Sequence, residues 1–140
     1  MTANGPVQPG DLFFFYGLLK QGAAGMPDHI DFEANGAFLS PAFIRGDLYR
    51  VAYYPGVVEG RGLTQGLLYR LDDISILPLL DEFEDVDHAR PDRSLYHRVR
   101  RPVLDADGAP TGELAWVYWY VRSVDGCENI ADGNWPLDGL

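Results

Sequence analysis

Cysteine is almost missing from this chain. Cys127 stands alone, so no disulfide can form within the molecule. Together with the lack of a signal-peptide pattern, that makes the cytoplasm the expected compartment. No apolar run is long enough to cross a bilayer. Basic charge is scarce too: 11 Lys and Arg stand against 21 Asp and Glu, for a net charge of −10. Phosphate backbones and anionic lipid surfaces repel such a chain, so neither nucleic acid nor membrane is an expected partner. The local exception, Arg90, Arg93, Arg98, Arg100 and Arg101 between His88 and Arg101, reads as pairing with the acidic remainder. There is no Gly-x-Ser-x-Gly, no phosphate loop and no dinucleotide fingerprint. His29, His88 and His97 lack the spacing of a metal site. Cys127 sits among acidic neighbours with no histidine nearby to activate it. A site without metal or cofactor is therefore expected.

What the chain does have is apolar and aromatic side chains, 46% and 13% of its 140 residues, enough for one compact domain. Residues 1–10 read as a loose leader, 11–131 as the domain and 132–140 as a non-regular tail. No internal repeat stands out. Asp11 to Tyr16 is a dense aromatic run consistent with a buried strand, and further strands are expected near Ile44–Tyr54, Leu63–Leu71, Tyr96–Leu104 and Glu113–Val121. In the last of these both alternating sets are apolar, so it should be covered on both faces. Asp107-Gly108, with Pro110 and Gly112, reads as the turn of a hairpin joining the last two strands. A helix is expected over the segment ending at Glu84, with Asp72, Asp73 and Ser75 as candidate caps, Ser75 favoured among them, and Pro78 in the first turn. A weaker helix lies between Met26 and Ala34. Strands dominate without regular alternation, which predicts an α+β fold with a curled or barrel-like sheet.

Glu84 is the residue out of place. At 100° per residue, Leu77 lies roughly 20° from it around the helix and Leu80 roughly 40°, while Glu82 points to the far side. A carboxylate aimed inward is neutralised by a partner or kept for chemistry, because losing hydration costs several kcal/mol or more. Arg98 and the Tyr118 hydroxyl are the structural partners to consider. Tyr16-Gly17-Leu18-Leu19-Lys20, directly after the first strand, is a second point of interest. Glycine there allows a sharp turn and close approach of the backbone to a ligand, and successive N–H groups can form an anion site. Tyr53-Tyr54-Pro55-Gly56 reads as a type II turn.

In order along the chain, Phe15-Tyr16-Gly17-Leu18-Leu19-Lys20, Gly66-Leu67-Leu68-Tyr69-Arg70-Leu71-Asp72, Leu80-Asp81-Glu82-Phe83-Glu84, Leu95-Tyr96-His97-Arg98-Val99 and Trp116-Val117-Tyr118-Trp119-Tyr120 resemble the γ-glutamylcyclotransferase family, in its AIG2-like and γ-glutamylamine cyclotransferase-like branch. The resemblance spans roughly residues 12 to 121. It implies a compact mixed β-barrel with a few short helices and a pocket at one end. It also implies that the backbone of Tyr16, Gly17, Leu18 and Leu19 holds the α-amino and α-carboxylate end of a γ-glutamyl group. Glu84 matches the catalytic carboxylate and Tyr96 a pocket tyrosine. Leu18 departs from the family's usual Ser or Thr.

The reaction so implied is cyclisation of a γ-glutamyl group to 5-oxoproline with release of an amine or amino acid, Glu84 moving the proton. Two alternatives remain at this level: a carboxylate-binding module of the same fold without turnover, and an enzyme acting on another amide. The expected partner is a small γ-glutamyl molecule, and the chain is a monomer or a homodimer.

Overall fold

The computed structural model of the chain describes residues 6–17, 30–52, 54–84, 86 and 94–135. Strand β1 (Asp11–Phe15) is followed by a one-turn helix α1 (Phe32–Asn35) and by two long strands, β2 (Gly36–Arg50) and β3 (Pro55–Leu71). A 3-10 turn (Ile74–Ile76) leads into helix α2 (Leu77–Phe83), and β4 (Tyr96–Leu104), β5 (Pro110–Tyr120) and a two-residue β6 (Glu128–Asn129) complete the chain. The fold is α+β, mostly strands with a few short helices. The strands lie in the order β3-β1-β5-β4-β2-β6, and a further pairing of β2 with β3 closes the order on itself.

The aromatic run of β1 is buried because the strand lies between two neighbours. It pairs antiparallel with β3 along its whole length and parallel with β5 at Phe13 and Trp116. Phe13, Phe14 and Phe15 are at most 2% exposed, so both faces of the strand are covered. Each such side chain contributes about 1.5–3 kcal/mol on burial. In β5 the covered stretch is Ala115–Tyr120, as its doubly apolar pattern predicts, whereas the residues before it face solvent. β4 and β5 form the expected antiparallel pair across Asp107-Gly108, with Gly108 in the left-handed conformation.

Several elements differ from the sequence reading. β2 begins at Gly36, eight residues before the expected Ile44, because Gly36–Phe38 pair with Tyr69–Leu71 of β3. Periodicity within β2 carries no trace of that long-range pairing. Pro55 and Gly56 open strand β3 instead of forming a turn, pairing with Arg50 and Tyr49; Tyr53 lies outside the described residues. The weak helix expected from Met26 is limited to Phe32–Asn35 within the described part. Asp31 caps it by accepting a hydrogen bond from the Ala34 N–H.

The segments set apart as leader and tail both reach the core. Val7 is 8% exposed and Trp135 fully buried, with the Arg50 guanidinium 4.6 Å from its ring centroid. Gly133 makes that approach possible. Its φ is +67°, and the Gln65 N–H donates to its carbonyl. A Cβ there would lie 1.9 Å from the Leu63 carbonyl oxygen. A short polar, glycine-rich stretch looks like a tail in sequence because its one anchoring side chain leaves no periodic pattern.

Candidate functional site

Helix α2 places Glu84. Asp73, not Ser75, caps the preceding 3-10 turn, its side chain accepting from the Ser75 N–H at 3.0 Å. Pro78 then falls in the first turn of α2, where its missing N–H costs nothing. Leu80 is fully buried and Glu82 exposed, the split expected from their angular positions. Glu84 is the C-terminal cap residue, with its N–H donating to the Leu80 carbonyl at 3.1 Å.

From that position Glu84 lines a pocket with Phe14, Phe15, Tyr16, Gly17, Tyr54, Pro55, Tyr96 and Tyr118, enclosing about 300 Å³ including its open mouth. The end of β1, the start of β3 and the faces of β4 and β5 meet here at the tip of α2. Of the residues singled out in sequence, Tyr16, Gly17, Glu84 and Tyr96 are brought together. Leu18 and Leu19 lie outside the described residues. The pocket also contains Phe14, Phe15, Tyr54, Pro55 and Tyr118, which the sequence reading did not assign to a ligand. Phe14 and Phe15 belong to the same aromatic run as Tyr16, and Tyr118 occupies the strand position opposite Arg98.

Glu84 is only partly buried as a residue, but its carboxyl is largely removed from water. Burial, and secondarily the negative charge of Asp81, pushes its pKa up from 4.5 to about 8. Among the described residues no hydrogen-bond donor or cation engages that carboxyl. Arg98 and the Tyr118 hydroxyl, the partners considered for Glu84, turn instead to Asp81. Arg98 donates from Nε to Oδ1 at 2.8 Å and from Nη2 to Oδ2 at 3.0 Å, and Tyr118 donates to Oδ1 at 2.8 Å.

The other pocket hydroxyls are also engaged. Tyr16 donates to the Tyr118 carbonyl at 2.6 Å and accepts from the Val57 N–H at 3.3 Å. Tyr96 donates to the Pro55 carbonyl at 2.5 Å. Burial raises the pKa of Tyr16, Tyr96 and Tyr118 well above the ordinary phenol value, with the Glu84 charge adding to the rise in all three. They therefore remain phenols, holding strand ends together while their rings wall the pocket. Glu84 is left as the group that can exchange a proton. The Gly17 N–H, by contrast, donates to no backbone carbonyl among the described residues. Gly17 also approaches the opposite wall so closely that a Cβ would lie 2.7 Å from Pro55 Cγ. No group of His, Cys, Asp and Glu among the described residues is arranged to hold a metal, and none of their helices is long and apolar enough to cross a membrane.

Comparison with known proteins places this architecture among relatives. Residues 13–137 match the model of the family described as gamma-glutamyl cyclotransferase, AIG2-like. The gamma-glutamylcyclotransferase family protein YtfP of Escherichia coli K12 is 31% identical over 110 residues, covering 74% of this chain and 85% of YtfP. The solution structure of ytfP from Escherichia coli superposes with a TM-score of 0.60 at 30% identity, covering 89% of this chain and 95% of that one. An aig2-like protein from Mus musculus shares the fold at 23% identity, with a TM-score of 0.60 over 83% of this chain and 80% of its own.

Proposed function

This chain belongs to the gamma-glutamyl cyclotransferase, AIG2-like family, and we propose that it cyclises a γ-glutamyl group to 5-oxoproline with release of an amine or amino acid. The observation that carries the reading is the Glu84 carboxyl: raised to about 8, without a partner among the described residues, and open to the same pocket as Gly17. The substrate's α-ammonium gives a proton to the Glu84 carboxylate. The freed amine attacks the γ-carbonyl carbon of the same molecule, closing a five-membered ring. The ring nitrogen sheds its second proton to solvent, the bond from that carbon to the departing nitrogen breaks, and Glu84 returns its proton to the leaving amine. One group serves as base and then as acid, which works best when its pKa lies near the working pH. Fixing the flexible substrate in a ring-closing shape removes rotational entropy from the barrier.

In this reading the turn at Tyr16, Gly17, Leu18 and Leu19 holds the α-carboxylate through backbone N–H groups, and the rings of Tyr16 and Tyr96 shape the wall. The free N–H of Gly17 and its close packing on Pro55 support that assignment. We read the closed order of strand pairings as the compact β-barrel the family resemblance implies, the protein as cytoplasmic, and its working form as a monomer or homodimer.

The test is a 5-oxoproline assay with γ-glutamyl dipeptides, γ-glutamylamines and glutathione, with Glu84→Gln run in parallel. Product from the wild type alone is expected, its rate rising with pH through about 8 as the carboxylate forms. A fully active Glu84→Gln protein would remove Glu84 from the mechanism. Binding of 5-oxoproline without any product would instead favour a module that has kept the pocket and lost turnover.

A further inference from the structure

Three phenols of the pocket direct their protons away from it. Tyr16 donates to the Tyr118 carbonyl, Tyr96 to the Pro55 carbonyl and Tyr118 to Asp81. Chemistry fixes the direction in each case, because a carbonyl or carboxylate oxygen can only accept. Asp81 also receives two N–H bonds from Arg98, at 2.8 and 3.0 Å, as an ionised carboxylate does. A phenol has one proton to give and keeps lone pairs on its oxygen. Tyr16 uses that remaining capacity on the Val57 N–H at 3.3 Å. No donor among the described residues reaches the hydroxyl oxygen of Tyr96 or Tyr118.

Tyr96 stands opposite Tyr120 and Tyr118 opposite Arg98, so both phenols leave the same face of the β4–β5 pair. Tyr118 shares the pocket wall with Glu84, and the Glu84 charge acts on its phenol, which makes the two groups neighbours. Donation to the Asp81 carboxylate also leaves the Tyr118 oxygen richer in electrons than donation to a neutral carbonyl leaves Tyr96, since hydrogen bonds in a chain polarise one another. The pocket thus offers an N–H donor at Gly17 and acceptors at Glu84 and Tyr118. Those are the two polarities that an α-amino acid zwitterion presents.

We propose that the Tyr118 oxygen, its proton committed to Asp81, is a second acceptor beside Glu84 for a primary ammonium group. Naming that group as the substrate's α-ammonium rests on the proposed cyclisation; the polarity of the site does not. In the cyclisation, one ammonium proton passes to Glu84 while another N–H stays on the Tyr118 oxygen, so the amine is held as it becomes a nucleophile. Tyr118 transfers no proton and remains a phenol throughout.

The experiment compares norleucine with hexanoate by titration calorimetry on the full chain. The two share one carbon chain, differ in the α-ammonium, and carry no γ-carbonyl to attack. Norleucine is expected to bind the wild type about a hundredfold tighter, and Tyr118→Phe should cut that preference about tenfold through its effect on norleucine alone, the usual consequence of losing a hydrogen bond to a charged group. Carbon-13 NMR of the tyrosine Cζ atoms reads the same contact in the wild type, which covers the case in which Tyr118→Phe does not fold. Norleucine should move the Tyr118 signal and hexanoate should not. Norleucine bound no tighter than hexanoate, a preference intact in Tyr118→Phe, a Tyr118 signal indifferent to bound norleucine, or a preference lost only in Tyr96→Phe would each overturn the proposal. The 5-oxoproline assay stands apart from these readouts. No product, with the preference lost in Tyr118→Phe, refutes the cyclisation and keeps the ammonium site; product with the preference intact in that variant refutes the role of Tyr118 and keeps the cyclisation.

Discussion

Replacing Glu84 by Gln should make the protein more stable, and the gain should depend on pH in a defined way. A carboxyl whose pKa is higher folded than unfolded makes the folded state hold the extra proton. Stability is then greatest below the unfolded value of 4.5, declines as pH rises to about 8, and is level above that. Each pH unit in that window is worth about 1.4 kcal/mol. From 4.5 to pH 7 the full effect is about 3 kcal/mol; because the residue keeps some contact with solvent, about 2 kcal/mol is the expectation. Gln matches Glu in size and carries no charge at any pH. Glu84→Gln should therefore exceed the wild type by about 2 kcal/mol at pH 7, or about 8 °C in Tm for a domain of this length. The advantage should shrink to nothing near pH 4. Urea unfolding of both proteins between pH 4 and 8 measures the difference directly, since every other ionisable group is common to the two. Equal stability at pH 7, or an advantage that persists at pH 4, would refute the claim that Glu84 is held in an environment hostile to its charge.

Tyr96→Phe removes the hydroxyl bonded to the Pro55 carbonyl but keeps the ring in the pocket wall. It should cost about 1 kcal/mol in chemical denaturation and lower kcat less than Glu84→Gln does. Gly17→Ala places a methyl 2.7 Å from Pro55 Cγ, so the wall must shift and KM for any γ-glutamyl substrate should rise well before stability is lost. Arg98→Ala takes the guanidinium from Asp81, which keeps the Tyr118 hydroxyl, and about 3 kcal/mol of destabilisation is expected from thermal or urea unfolding. Gly133→Ala combines a φ of +67° with a clash on the Leu63 carbonyl and should release Trp135, seen as a red shift of tryptophan fluorescence.

Much of the site is legible in the chain because it depends on local geometry. Glu84 can be chosen over Glu82 from helical period alone, and a glycine after a buried strand marks the turn beside it. The position of Pro78 sets the start of α2 for a reason confined to one peptide bond. What escaped was non-local. The early start of β2, the strand role of Pro55 and Gly56, and the burial of Trp135 all depend on partners distant in sequence. Asp73 is among the candidate caps, but the choice of it over Ser75 follows from the 3-10 turn that precedes the helix, which apolar spacing does not register.

Helical period alone turned an acidic residue inward at the end of α2, with Arg98 and Tyr118 elsewhere in the chain to meet one. Helical period also turns Asp81 toward that side, so the chain offers two carboxylates to one arginine. Tertiary structure decided between them. The register that sets Arg98 opposite Tyr118 delivers guanidinium and hydroxyl to Asp81 at 2.8–3.0 Å, leaving Glu84 at the pocket. Period fixes the direction of a side chain to within tens of degrees, whereas pairing is settled over a few tenths of an ångström by strands 17 and 37 residues away from Asp81.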